Sequence, residues 1–590
     1  MRWACCSAYL PGAWSAEAGA AVTAFSAESP IAGVPGATRP ADKVGAEPVD
    51  AGGRGVGYPR FRRYLRRYLR RPHHVGVLLA LLAFLCSLTP SLLPRSWEVQ
   101  GIISGIEGAA AHATGVGISW LACRTGATPL SPRRQRRLWY GIAAFAAVAV
   151  PTTLWLSARW QAEIRHAVNM PSEGHYSYLG MFAIAVAVAA GLVGLARLVH
   201  DLYLVVMRHL RRLIPELAAR VMVSVLVTGL VIAVATGAVY RGLIHFADNA
   251  FSTVDTGTDN GVMQPASSLR SGSPGSVAPW SSLGRQGRDF ASSGPAVTDI
   301  QRLTGRPAIE PIRVYAGLSS APAPQGQADL VLAELKRTGA FDRAVLAVAT
   351  TTGTGWVDPT LADPLEYLYA GNTAIAAMQY SYLPSWISFL VDKDRARQAG
   401  RTLFTTVYRY WSKLPIAHRP RLVVFGESLG AFGGSAAFSG IADLLARTDG
   451  ALFAGPPNST ELWRTLTNER AIGSPERLPI YGDGRTVRFA ATATDLRPVD
   501  GSLRAPRIVF LQHASDPIVW WSPKLIWREP DWLREPRGPD VVPQIQWFPF
   551  LTFWQITCDM IVGVKPPPGH GHHYGPEVPA AWTAVLHPPR

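Results

Sequence analysis

The sequence predicts an α-helical transmembrane bundle of about five spans followed by a doubly wound, mostly parallel α/β domain. Three observations lead there. Apolar runs of spanning length recur through residues 60–244, arginines collect in alternate loops between them, and short apolar strands alternate with helical segments after residue 291. A chain of 590 residues also exceeds one ordinary domain, and 48% hydrophobic against 17% charged residues is rich for a soluble protein.

Residues 1–59 carry Ala, Gly, Pro and Ser without sustained periodicity, which predicts a disordered tail; no basic segment and apolar core open the chain as in a signal peptide. Residues 60–244 form the expected transmembrane domain. Its first run, VGVLLALLAFLCSLTPSLL (75–93), follows RFRRYLRRYLRRPHH (60–74) and would span ~28 Å as a helix. The further runs are 101–122, 138–157, 178–199 and 221–243. The run 101–122 is the weakest, because it is glycine-rich and includes Glu107 and His112, which are costly in lipid unless they face protein or water. They suit a helix buried within the bundle, or a functional cavity.

Loop charge tests the count. With five spans and a cytoplasmic N-terminus, segments 60–74, 124–137 and 200–220 lie inside and hold 16 arginines. The two outside loops hold Arg95, Arg159 and Arg165. That asymmetry follows the positive-inside rule, and an odd number of spans puts everything after residue 243 outside the cytoplasm. The net charge of +16, with six lysines among 57 basic residues, therefore reads as membrane topology and not as a nucleic-acid surface. The five cysteines form no CxxC or Cys/His cluster, so neither metal nor cofactor is expected.

Residues 245–290, rich in Gly, Ser and Pro, read as a linker, and 291–590 as the α/β domain. Within that domain strands are expected at 312–318, 344–350, 421–427 and 507–515. Helices are expected at 328–339, 399–414 and about 429–447.

The chemistry centres on Gly426-Glu427-Ser428-Leu429-Gly430, which joins the apolar strand RLVVFGE to a helix of small residues. A strand, a sharp Gly-x-Ser-x-Gly turn and a helix make a nucleophile elbow, in which Ser428 is raised above the sheet and the N–H of Leu429 can face an oxyanion. Serine needs a base, and the base needs an orienting carboxylate. Asp516 follows a late strand in LQHASDPIVWW; Asp495 and Asp500 are rivals with no clear strand before them, and His513 reads as a packing residue. Near the C-terminus GHGHHY (569–574) offers His570, His572 and His573 on a glycine-hinged loop. His572 is preferred as base because the turn can be completed before it, with His570 as the alternative. TTTGTGW (350–356) follows a strand where a second oxyanion donor is needed, which nominates Thr352 and Gly353.

Together these motifs resemble the actinobacterial membrane-associated α/β-hydrolase family, which pairs an N-terminal membrane domain with an α/β-hydrolase domain. The carrying residues are SLLPR (91–95), RTGAFDRAVL (337–346), GTGW (353–356), QYSYLPSW (379–386), GESLGAFG (426–433), LQHASDPIVWW (511–521), PDWL (530–533) and GHGHHY (569–574). The resemblance spans about residues 75–585. It implies a serine hydrolase fold and supports Ser428, Asp516 and a histidine of the GHGH segment, without specifying a substrate.

The expected function is thus a membrane-embedded serine hydrolase of ester substrates, lipid or cell-envelope in class, working through an acyl-enzyme. Its expected partners are the bilayer and the substrate. Alternatives are an acyltransferase with the same triad, or a transport or scaffold protein whose hydrolase-like domain is inactive.

Overall fold

The computed structural model describes residues 73–210 apart from 127–129 and 173–175, and residues 254–587 apart from 392 and 498–506, with a few single positions between 215 and 252. The tail 1–59, the basic segment before residue 73 and most of the run 221–243 lie outside the described residues.

Four helices make up the described N-terminal region: α1 (His74–Ser87), α2 (Trp97–Arg124), α3 (Pro132–Ala167) and α4 (Tyr178–Leu210). Ser131 caps α3 by accepting the Arg134 N–H, with Pro132 at the first helical position where its missing N–H costs nothing. Helices α1 and α4 both pack on α2.

The expected count of five spans is corrected here. Among the described residues only α3 and α4 are long and apolar enough to cross a bilayer. Helix α1 stops at 14 residues, because Thr89-Pro90 cannot continue it and SLLPR leaves as an irregular, bent segment. Helix α2 is 28 residues long, but glycines and the buried polar side chains of Gln100, Ser104 and Glu107 dilute its apolar character. Its N-terminal half, which carries these polar groups, is buried against protein, while Val116, Ile118, Trp120 and Leu121 of its C-terminal half are exposed.

The C-terminal domain is built on seven strands: β1 (Ile312–Ala316), β2 (Val345–Thr350), β3 (Thr373–Met378), β4 (Arg421–Glu427), β5 (Gly450–Ala454), β6 (Val487–Ala490) and β7 (Ile508–Leu511). They lie in the order β1-β3-β2-β4-β5-β7-β6, and every neighbouring pair is parallel. Residues alternate between two cores. Val348, Val424, Phe453 and Phe510 face one side with helices α5 (Pro324–Arg337), α7 (Lys393–Trp411) and α8 (Leu429–Ser435). Ala347, Val423, Phe425, Leu452 and Val509 face the other, against α6 (Pro359–Leu368) and α12 (Val578–Leu586). Leu92, Leu93 and Val168 of the N-terminal region enter the first core, so the two regions share packing.

The helix expected over 429–447 is two helices, α8 and α9 (Ile441–Arg447), parted at Ser439-Gly440. The described part of the Gly/Ser/Pro-rich stretch 245–290 packs along β1. Ser271 N–H donates to Arg313 O, and Arg313 N–H donates to Leu269 O. Its composition marks turns, which does not prevent backbone pairing.

At the β1 edge Arg313, 1% exposed, holds Glu366 at 2.7 and 2.9 Å and Asp363 at 2.6 Å. Removing one partner of such a pair strands a buried charge. Arg313→Met is therefore expected to lower unfolding stability by about 3–5 kcal/mol, read by chemical denaturation of the purified protein. A loss below about 1 kcal/mol would show the pair to be dispensable.

Candidate active site

The site forms where β2, β4, β5 and β7 end, at the carboxyl edge of the sheet. Strand β4 delivers Ser428 in a backbone conformation of φ 54° and ψ −120°, which a non-glycine residue holds only at a cost of about 1–3 kcal/mol. Its N–H is tied to Ala454 O at 2.9 Å, and Ser428 O accepts the N–H of Phe432, which starts the α8 ladder. Gly430 has no freedom to carry a side chain: a Cβ there would stand 2.2 Å from Thr350 O. The elbow is thus pressed directly onto the end of β2.

Asp516 follows β7 and caps α10 (Pro517–Trp520), its Oδ1 accepting the Ile518 N–H at 2.8 Å. Its Oδ2 accepts two further hydrogen bonds, from His572 Nδ1 at 2.7 Å and from the Tyr574 hydroxyl at 2.6 Å. Asp516 is wholly buried and His572 nearly so. Burial and the Asp516 carboxylate push the Tyr574 phenol well above its ordinary value, so it stays a donor. With Nδ1 committed, His572 Nε2 is buried and has no hydrogen-bond partner among the described residues. The ring has its place because residue 455 is glycine; a Cβ there would stand 2.4 Å from His572 Cε1. Gly455 directly follows Ala454, the residue that holds the Ser428 N–H. One short neighbourhood therefore contains Ser428, Asp516 and His572.

The other histidines go elsewhere. His570 Nε2 accepts a hydrogen bond from Asn169 Nδ2 at 2.7 Å, and burial lowers its imidazole below the usual value. His573 Nδ1 meets Pro566 O at 2.9 Å. His513 stacks on Tyr574 with ring centres 4.3 Å apart, its Nδ1 on Gly571 O at 2.8 Å. Asp495 caps its own short turn through Thr492, and Asp500 lies outside the described residues.

The oxyanion side is less open than the sequence suggests. As first residue of α8, Leu429 has no carbonyl one turn earlier within the helix for its N–H to meet. The 350–356 loop does lie against the elbow. Yet the Thr352 N–H donates to Trp356 O at 3.0 Å and the Gly353 N–H to Ser385 Oγ at 3.2 Å. Gly353 is held by a side chain, so rotation of Ser385 releases it; Thr352 is held by backbone.

One buried feature is not read from the sequence at all. Burial and the neighbouring carboxyls of Asp358 and Asp516 raise Glu427 well above a normal glutamate, and burial also raises Asp358. The Glu427 acid shares a hydrogen bond with Asp358, whose carboxylate caps α6 through the Thr360 N–H at 2.8 Å. A glutamate next to the nucleophile at the end of a buried strand was the available signal. The sign for stability follows. A carboxyl neutral in the fold and ionised when unfolded favours the fold fully below its unfolded value, and the advantage is lost as pH rises towards the folded value. Up to about 1.4 kcal/mol per pH unit is at stake for one proton. Glu427→Gln is therefore expected to melt increasingly higher than wild type between pH 5 and 8. A melting difference independent of pH would show Glu427 to be ionised in the fold.

The parallel sheet agrees with what family comparison finds. Residues 312–590 match the model described as the alpha/beta-hydrolase family, and residues 88–295 the model described as the alpha/beta-hydrolase family N-terminus. No curated protein and no solved structure matches the chain. The two matches follow one another from residue 88 onward, so both regions of the chain are similar to the alpha/beta-hydrolase family.

Proposed function

We propose that the protein is a membrane-anchored serine hydrolase that cleaves carboxylic esters with Ser428 as nucleophile, His572 as base and Asp516 as its orienting acid. The observation that carries this reading is the buried His572–Asp516 contact of 2.7 Å, which leaves Nε2 unpartnered beside the elbow of Ser428. Ser428 Oγ adds to the ester carbonyl as Nε2 takes its proton, and the Leu429 N–H, joined by that of Gly353, receives the charge on the carbonyl oxygen. The same Nε2 then protonates the departing alkoxide. Water, deprotonated by Nε2, opens the acyl-enzyme and regenerates the serine.

A lipid or other acyl-bearing ester is favoured by the rim of the base loop. Ile561 and Val564 are exposed on either side of Gly563, whose carbonyl accepts the His572 N–H at 2.7 Å. Phe550 and Trp527 are also exposed, the Phe550 N–H bonding Ile526 O. Lys565 sits within electrostatic reach of Glu98 in the first turn of α2, level with the end of the apolar helices. Of the tryptophans between acid and base, Trp520, Trp521 and Trp532 are core residues instead.

The topology proposed has the hydrolase domain outside the cytoplasm. The helix ends that touch it carry Arg95, Glu163 and Asn169, whereas Arg124, Arg133, Arg134, Arg136, Arg137 and Arg208 lie at the opposite ends. Purified protein offered soluble and bilayer-embedded esters should hydrolyse both, with preference for the longer acyl chains. Absence of turnover on every ester, with an intact fold, would overturn the reading.

A further inference from the structure

The base loop and the acid turn are joined through one helix, α11 (Leu551–Ile561). Its C-terminal turn ends at Gly563, whose O accepts the His572 N–H at 2.7 Å. Gly571, at φ 58°, lies so close that a Cβ on it would stand 2.6 Å from the same carbonyl. On the acid side Trp521, directly after α10, donates through Nε1 to Thr557 Oγ1 at 2.7 Å. A shift of α11 would thus move Asp516 and His572 relative to one another.

Part of what holds α11 comes from outside the hydrolase domain. Asp559, wholly buried on its last turn, binds Arg95 Nε at 3.0 Å and the Leu92 N–H at 3.1 Å, and accepts the Ser91 hydroxyl. Arg95 is equally buried. Its Nη1 donates to Gln100 Oε1 at 3.1 Å and its backbone N–H to Gln161 Oε1 at 3.0 Å, which ties the segment to α2 and α3. Gln555, one turn earlier on α11, donates to Thr89 at 3.3 Å. Apolar packing would hold a helix at lower desolvation cost. A buried charge pair accepts that cost and fixes one register. A second tie reaches the loop itself, from Asn169 to His570.

We propose that Arg95 is a positioning residue of the catalytic site: from the segment between the first two helices it fixes α11 through Asp559, and so sets His572 against Asp516 and Ser428. The inference rests on the serine-hydrolase reading above. It makes the N-terminal region a working part of the active site, and a change in that region's packing a means of altering turnover.

The test uses the full chain in detergent or lipid nanodiscs, with a soluble ester and a fluorophosphonate probe. A misplacement of about 1 Å can cost ~10²-fold in rate. Arg95→Met is expected to lower kcat and the labelling rate of Ser428 by about 10- to 100-fold, with KM within about twofold. The pH–rate profile should shift, since the Asp516–His572 contact is disturbed. Arg95→Met combined with Asp559→Leu removes both charges and should recover much of the loss. If Arg95→Met does not fold, Arg95→Lys takes its place, with a smaller fall in kcat at unchanged KM. Wild-type kcat and pH profile in the folded variant would overturn the proposal. If wild-type protein itself fails to label, the hydrolase reading fails first.

Discussion

Ser428→Ala is expected to remove ester hydrolysis while leaving the fold intact. The substitution deletes one oxygen from a buried elbow whose shape is set by the backbone bonds that it donates to Ala454 and accepts from Phe432 and by the glycines around it. Alanine can take the same strained conformation with no greater clash than serine. Losing a triad nucleophile costs on the order of 10⁶-fold in kcat. The check is steady-state hydrolysis beside a melting curve. Substantial activity in a folded Ser428→Ala protein would assign the chemistry to another group.

His572→Ala should be nearly as damaging, again on the order of 10⁶-fold, because nucleophile and base act as a unit. His570→Ala is the informative companion. That ring meets Asn169 and not Asp516, so its loss removes one hydrogen bond worth about 1 kcal/mol and should cost activity at most about fivefold. Hydrolysis of a soluble ester by both variants, at matched folding, separates the two. Silence in His570→Ala with activity in His572→Ala would reverse the assignment.

Much of this was legible in the sequence because its signals are local. RLVVFGE is β4 over the expected residues, and Ser428, Asp516 and His572 each stand in turns whose glycine or proline content announces them. What escaped has nonlocal causes. Strands β3 (TAIAAM) and β5 (GALFA) are short and rich in alanine and glycine, so propensity is silent, and only burial between parallel neighbours makes them strands. The five-span count failed at α1 and α2 for a related reason. Pro90 ends the first run early, and α2 covers its polar face with other helices, which no window of hydropathy can detect. The use of Gly353 by Ser385, the Glu427–Asp358 pair and the Arg95–Asp559 contact each join residues far apart in sequence or unremarkable in it.

The central claim is that Ser428 is an activated nucleophile, and covalent capture tests it most directly. Purified full-length protein treated with a fluorophosphonate should carry one adduct, and peptide mass mapping should place it on Ser428. Labelling should vanish in His572→Ala. An adduct on another residue, or labelling of Ser428 at an undiminished rate without His572, would contradict the account.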